Sequence, residues 1–253
     1  MTKNTAGLLI ACMVLTNGNV WAEEPSATPY RPTVSNPADL PFPGHFEIEA
    51  GWQSTEGGAD KRRSSAPWLL KYAFTENFGV LVGGESALSV TSAANNTERG
   101  NGDTSLTFKF KFPRTKTSAF GLEAGRKFPT ASTRVGGSNE EDYTVNGIYS
   151  TEIKDLTFDV NANITRLGLE ESGLARNQLG WALGVSRSLS GPWGGALELA
   201  GTRRNGTDST QQILAAVSYK INSRVVIDFG HAWGLNNASP DTAAFAGVTL
   251  LFK

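Results

Sequence analysis

The chain has 253 residues, 39% of them hydrophobic and 19% charged, a balance that excludes both a disordered tail and a bundle of transmembrane helices. A formal net charge of -1 provides no basic surplus to neutralise phosphates, so nucleic acid is not an expected partner.

In chain order, residues 1–22 read as a secretory signal. Lys3 gives a short basic region, Ala6 to Leu15 an apolar stretch, and "NVWA" ends at Ala22 in a small-x-small-like cleavage site. "LIAC" at 9–12 also looks like a lipoprotein signal, but cleavage before Cys12 leaves only about six apolar residues, below the usual range. Cys12 is the single cysteine, so a chain cut after Ala22 has neither a disulfide nor a thiolate metal site. Export without disulfides fits a bacterial envelope protein. Beyond this leader, no apolar run is long enough to cross a bilayer as a helix.

Residues 23–43 carry Pro25, Pro29, Pro32, Pro37, Pro41 and Pro43. So many missing amide donors exclude a central strand or a helix, leaving a linker or a plug that folds into the rest of the protein.

From Gly44 onwards the pattern has period two. Phe46, Ile48, Ala50 and Trp52 alternate with Glu47, Glu49, Gly51 and Gln53, and Leu106, Phe108, Phe110 and Phe112 with Thr107, Lys109 and Lys111. Strands are predicted near 45–53, 67–74, 78–85, 103–112, 117–128, 142–151, 156–166, 178–189, 193–203, 210–220, 224–234 and 242–252. The total is about twelve, even in number and near the length that crosses a bilayer.

Short connections at 75–77, 113–116, 152–155, 190–192 and 220–223 are interspersed with longer polar loops such as 54–65, 87–102, 129–141 and 167–177. Outer-membrane barrels sort their periplasmic turns and outer loops in this way. Aromatic residues fall into two groups on the apolar face. Trp52, Trp68, Phe128, Tyr143, Trp181 and Trp233 lie near the long loops, and Phe74, Phe78, Phe112, Phe120, Tyr149, Phe158, Tyr219 and Phe252 near the short turns. Two belts at two lipid interfaces account for this; a soluble sandwich accounts only for the alternation.

The chain therefore reads as all-β, a closed antiparallel transmembrane barrel over 44–253. By parity its inner face carries Glu47, Glu49, Lys71, Glu85, Asp103, Lys109, Lys111, Glu123, Lys127, Asp159, Glu198 and Asp228. These are the candidate lumen-lining residues of a solute path, or pairs that fill a narrow lumen. The later strands place Gly180, Ala182, Gly184, Ala196, Ala200, Ala216 and Gly247 inward, with apolar Leu214, Val226, Phe245 and Leu251 among them. These small residues leave space, either for a partly apolar path or for residues 23–43. Arg126 and Arg187 fall at lipid-face parity near strand ends, an interfacial position. Lys61, Arg62, Arg63, Arg203 and Arg204 lie on the outer-loop side, solvated or against lipid phosphates.

Candidates for catalysis are few. His231 shares the apolar face with Phe229 and Trp233, where a barrel lipase keeps its base, but "HAWGLNN" places Trp233 where the His-x-Ser-Asn-Gly motif of outer-membrane phospholipase A has its nucleophile. His45 sits at the base of the first strand, a structural position. "GGSNEEDY" at 136–143 is acidic but lacks the alternating ligand order of an EF-hand loop. No catalytic residue, metal site or cofactor is expected.

"RPTVSNPADLPFPGHFEIEAGW" (31–52), "GDTSLTFKFKF" (102–112) and "GLEAGRKFPTAS" (121–132) resemble outer-membrane transporters of the phenol meta-degradation pathway type. The resemblance implies a barrel that passes aromatic or other hydrophobic compounds, and it supplies no catalytic or binding residues. Phe252, one residue before the last, departs slightly from the terminal aromatic expected to engage the barrel-assembly machinery. The expected function is passive passage of small solutes across the bacterial outer membrane, with lipid and lipopolysaccharide as surroundings. The alternatives are a closed structural or adhesive barrel and a lipid-modifying enzyme.

Overall fold

A computed structural model describes residues 24–253 apart from 136; the expected secretory signal, 1–22, lies outside the described residues. The strands are β1 (Phe46–Glu56), β2 (Arg62–Thr75), β3 (Phe78–Thr91), β4 (Thr97–Gly100), β5 (Thr104–Pro113), β6 (Ser118–Phe128), β7 (Asp142–Ile153), β8 (Leu156–Arg166), β9 (Asn177–Ser190), β10 (Trp193–Arg204), β11 (Thr210–Asn222), β12 (Val225–Gly234) and β13 (Thr242–Phe252). A 3-10 turn, Thr133–Val135, lies between β6 and β7.

Neighbouring strands pair antiparallel, and the sheet closes where β1 meets β13, from Phe46 opposite Phe252 to Glu56 opposite Thr242. β4 lies outside this ring and pairs only with the far end of β3, Leu88 to Thr91, while β3 pairs with β5 from Phe78 to Gly84. The barrel itself thus has the twelve strands expected. Closure matters because lipid offers no partner for unpaired backbone N–H and C=O groups, so the ladder must satisfy them internally.

Alternation decides which face meets lipid. In β5 the Phe108 and Phe110 side chains are 44% and 38% exposed, whereas Lys109 between them is 0% exposed. The same contrast separates Phe46 and Ile48 from Glu47 and Glu49 in β1. On the outer surface a run of rings links β1, β2, β3 and β5: Phe46 with Tyr72, Tyr72 with Phe74, Phe74 with Phe78, and Phe78 with Phe110, at centroid separations of 4.6, 5.0, 5.4 and 4.9 Å. These lie by the short turns, and Trp52, Tyr143, Trp181 and Trp233 are exposed on the side of the longer loops.

Two of the short connections take left-handed backbone, Lys154 between β7 and β8 (φ 60°) and Gly191 between β9 and β10 (φ 56°), which brings adjacent antiparallel strands back together. The predicted loop 54–65 is mostly strand, because β1 runs to Glu56 and β2 starts at Arg62, and the predicted loop 87–102 contains the end of β3 and all of β4. Within these stretches β4 is exposed over most of its length, whereas Ser65 and Leu88 in the neighbouring strand ends are buried.

Candidate functional site: the segment-filled lumen

Residues 24–43 lie inside the barrel. The prolines keep the segment from forming helix or strand of its own, and many of its remaining amides bond to the wall. Near the short-turn end, Ala27 N–H donates to Ser223 O at 2.7 Å. The Thr28 N–H then donates to Glu47, and the Tyr30 and Arg31 N–H groups donate to Glu49, at 2.7, 2.7 and 3.1 Å. The Arg31 guanidinium forms a two-point pair with Asp228 of β12, at 3.2 and 3.1 Å.

The segment then crosses the lumen. Glu198 of β10 accepts the Val34 and Ser35 N–H groups and the Ser35 hydroxyl, at 2.9, 2.6 and 2.6 Å. The Asn36 side chain donates to Glu123 of β6, and its backbone exchanges two bonds with the Asn161 amide of β8, at 3.1 and 2.9 Å. The return leg is tied by Ala38 N–H to the Ser150 hydroxyl at 2.7 Å, by Asp39 to Lys111, and by Gly44 N–H to Ala73 O at 2.8 Å.

Glycines on the inner face make room for this path. A Cβ at Gly184 would stand 2.4 Å from the Ser35 hydroxyl, and one at Gly247 2.4 Å from the Arg31 guanidinium.

Two lysines sit deepest. Lys71 reaches Glu47 at 2.6 Å, Glu49 at 2.5 Å and the Thr28 carbonyl at 2.7 Å. Lys109 reaches Glu123 at 3.0 Å and the Pro37 carbonyl at 2.5 Å. The Tyr30 ring lies between them, its centroid 3.6 Å from one ammonium and 4.0 Å from the other. Each cation meets the negative face of the ring, which separates two like charges in a dry interior. The Tyr30 hydroxyl donates to Asp39 O at 2.7 Å.

Of the residues predicted to line the lumen, Glu47, Glu49, Lys71, Lys109, Lys111, Glu123, Glu198 and Asp228 are thus gathered around this one segment. Glu85 and Lys127 are not among them. Glu85 pairs with Arg63, and Lys127 with Asp103 and Asp142 at 2.9 and 2.8 Å, on the long-loop side. Asp159 accepts the Ser150 hydroxyl at 2.5 Å and lines a cavity on the short-turn side. The parity argument did not single out Asn146, Asn161 and Asn163, which lie inward on β7 and β8. Their signal was three amides at inward positions.

Space remains on both sides of the segment. On the long-loop side, one cavity of about 470 Å³ is bounded by Thr144, Asn146, Asn163, Thr202 and Gln211, and one of about 280 Å³ by Gln53, Leu214, Ala232 and Phe245. On the short-turn side, a cavity of about 620 Å³ is bounded by Thr157, Asp159, Ser186, Gly194 and Ser218.

The other candidates have ordinary partners. His231 packs against Trp233 with ring centroids 4.6 Å apart, and the residues opposite it are Ala215 and Ala244. The His45 ring N–H donates to Pro43 O at 3.1 Å and the ring stacks edge-on with Phe42. In the acidic loop, Glu141 pairs with Arg126 and accepts the Tyr143 hydroxyl, and Asp142 accepts the Gly168 N–H. Arg187 pairs with Asp155 at 2.5 Å. Among the described residues, no group of three or more His, Cys, Asp or Glu is placed to hold a metal ion.

Comparison with known proteins agrees with this architecture. The sequence profile of the family described as "Putative MetA-pathway of phenol degradation" matches residues 31–252. No protein of curated function matches in sequence. Among solved structures, the chain is similar to the KdgM porin in complex with disordered oligogalacturonate, with a TM-score of 0.60 and 13% identity over 82% of this chain and 99% of the other. It is also similar to the NanC porin, with a TM-score of 0.59 and 10% identity over 82% and 99%. A third neighbour is the CymD monoaromatic hydrocarbon channel, with a TM-score of 0.50 and 10% identity over 84% and 89%. At these identities the likeness is one of fold, that of an outer-membrane barrel.

Proposed function

The chain belongs to the phenol-degradation family whose profile it matches, and on that premise we propose that it is a bacterial outer-membrane channel for the passive passage of small solutes, narrowed by residues 24–43. The observation that carries this reading is the division of the lumen. Arg31, Pro32 and Thr33 border both the 280 Å³ cavity on the long-loop side and the 620 Å³ cavity on the short-turn side. That stretch of the segment is the partition between them. A barrel with a purely structural role has no need of inward glycines and alanines that leave such space.

Aromatic or hydrophobic compounds are among the solutes proposed. Leu214, Ala232, Ala243 and Phe245 give the passage one apolar wall, and the CymD neighbour is a monoaromatic hydrocarbon channel. The charged groups have another task in this reading: they hold the segment. The chain is read as non-catalytic, with His231 an interfacial ring beside Trp233. Outer-membrane lipid is its surroundings, with the exposed Lys61 and Arg203 available to lipopolysaccharide phosphates while Arg62, Arg63 and Arg204 pair with Glu56, Glu85 and Glu171, and the barrel-assembly machinery inserts it.

The test is ion conductance in planar bilayers together with solute-driven swelling of liposomes, for the full chain and for a variant lacking residues 24–43. Steady conductance in either form supports the channel, and conductance in the variant alone assigns the segment as its plug. Silence in both, with no swelling, overturns the reading in favour of a closed barrel.

A further inference from the structure

The short-turn side of the lumen holds a carboxylate that the barrel leaves without a counter-charge. Among the described residues of the wall strands, the other inward carboxylates are served by Lys71, Lys109, Lys127, Arg31 and Arg63, and Glu198 accepts the Val34 and Ser35 N–H groups. Asp159 of β8 has neither a cation nor a backbone N–H for partner. Its Oδ1 accepts the Ser150 hydroxyl at 2.5 Å. That hydroxyl in turn accepts the Ala38 N–H at 2.7 Å, so its own proton is committed to Asp159. Oδ2 has no partner among the described residues, and it is not sealed off. Asp159 is half-buried and borders the cavity of about 620 Å³, a volume in the range of ligand pockets.

The surroundings leave this charge open. Opposite Asp159 stands Gly184, and the inward positions beyond it are Ser186, Gly194, Ala196 and Ser218. The inner segment faces the cavity with Pro29, Pro32 and Pro37, which have no N–H to donate. The bordering cations are engaged or stand in water. Arg31 pairs with Asp228 and Arg187 with Asp155, while Lys154 lies exposed in the β7–β8 turn, as does Glu152 nearby.

A carboxylate in a low-dielectric enclosure draws a cation into the space beside it and repels an anion. One carboxylate offers too few oxygens to replace the water around a divalent metal ion. A primary ammonium has three donors, one for Asp159 and two for bordering hydroxyls such as those of Ser186 and Ser218. Ala196, Ala216 and the proline rings leave room beside it for a short aliphatic body.

We propose that the short-turn-side cavity is a binding site for small primary ammonium ions, with Asp159 as their counter-charge. The site goes beyond the channel reading and does not depend on it: it requires the filled lumen, whether or not solutes cross.

The experiment uses the refolded full chain in detergent micelles at neutral pH, with n-butylammonium as probe and n-butanol and butyrate as its neutral and anionic counterparts. Binding is followed by saturation-transfer NMR and by the carboxyl resonances of chain labelled with 13C at aspartate. Butylammonium is expected to bind saturably, at least tenfold more tightly than either counterpart, and to move the carboxyl signal that Asp159→Asn removes. Asp159→Asn keeps the shape and the Ser150 bond but not the charge, and should weaken the ammonium at least tenfold. Ala196→Leu fills the cavity and leaves Asp159 in place; it should weaken the ammonium as much, and it decides the matter if Asp159→Asn does not fold. Equal binding of the three solutes, no saturable binding, a stationary Asp159 signal, or affinity unchanged in a folded variant overturns the proposal.

Discussion

Ser35 and Glu198 are joined twice: one oxygen of the Glu198 carboxylate accepts both the backbone N–H and the hydroxyl of Ser35, each at 2.6 Å, while the other accepts the Val34 N–H. Val34 and Ser35 therefore hang on a single wall side chain. Glu198→Ala leaves buried donors unpaired, at about 1–3 kcal/mol each, and should release this part of the segment first. Amide exchange at Val34 and Ser35 is expected to accelerate at least tenfold relative to Tyr30, which Glu49 holds. Equal protection in variant and parent would show that the segment stays in place without this anchor.

Among the described residues Lys71 is the sole cation paired with both Glu47 and Glu49. Lys71→Met strands two carboxylates in a dry interior, and breaking a buried pair this way costs about 3–5 kcal/mol. The urea midpoint of the barrel in lipid vesicles should fall accordingly. Adding Glu47→Gln and Glu49→Gln to the same chain should recover much of the loss, because the unpaired charge is then gone. A triple variant weaker than Lys71→Met would contradict this account.

Deleting residues 24–43 also opens the charged wall of the lumen to water. Glu47, Glu49, Glu123, Glu198 and Asp228 would then face water against Lys71, Lys109 and Lys111, an excess of carboxylates. Charges lining a pore select for the opposite ion. The truncated barrel should be cation-selective, read as the sign of the reversal potential across a KCl gradient, and an anion-selective pore would refute the assignment.

Gly247→Val offers a route to the same release without removing a wall charge. The new Cβ would lie 2.4 Å from the Arg31 guanidinium, and β-branched valine suits a strand. The Arg31 pair with Asp228 must break, so conductance should rise towards that of the deletion while the barrel stays folded. Unchanged conductance would mean that Arg31 finds another seat.

The barrel was legible in the sequence because a two-sided environment writes itself as period two: Lys109 and Lys111 between Phe108, Phe110 and Phe112 can only face inward. β4 was not legible, since "TERG" has no apolar side and stands in water on both faces. The location of residues 24–43 was left open because prolines exclude strand and helix without saying what replaces them. A clue was present in the inward carboxylates, which outnumber the inward lysines on β1, β6, β10 and β12 and so call for donors from elsewhere. Asn146 stands at inward parity with Asn161 and Asn163, but its bonding depends on how Asn36 orients Asn161 across the lumen.

The β1–β13 seam joins the two ends of the barrel sequence, so the ring cannot close until the last strand has been delivered. The segment leads directly into β1 and is tied to it through Glu47 and Glu49. It is therefore enclosed as the wall curls around it, in the manner of a ship built inside its bottle, and need not be threaded into a finished cylinder. Order of assembly follows from order of sequence: a barrel made without residues 24–43 and later offered them as a free peptide faces an entry step that the intact chain never meets, and should fill more slowly than the intact chain folds.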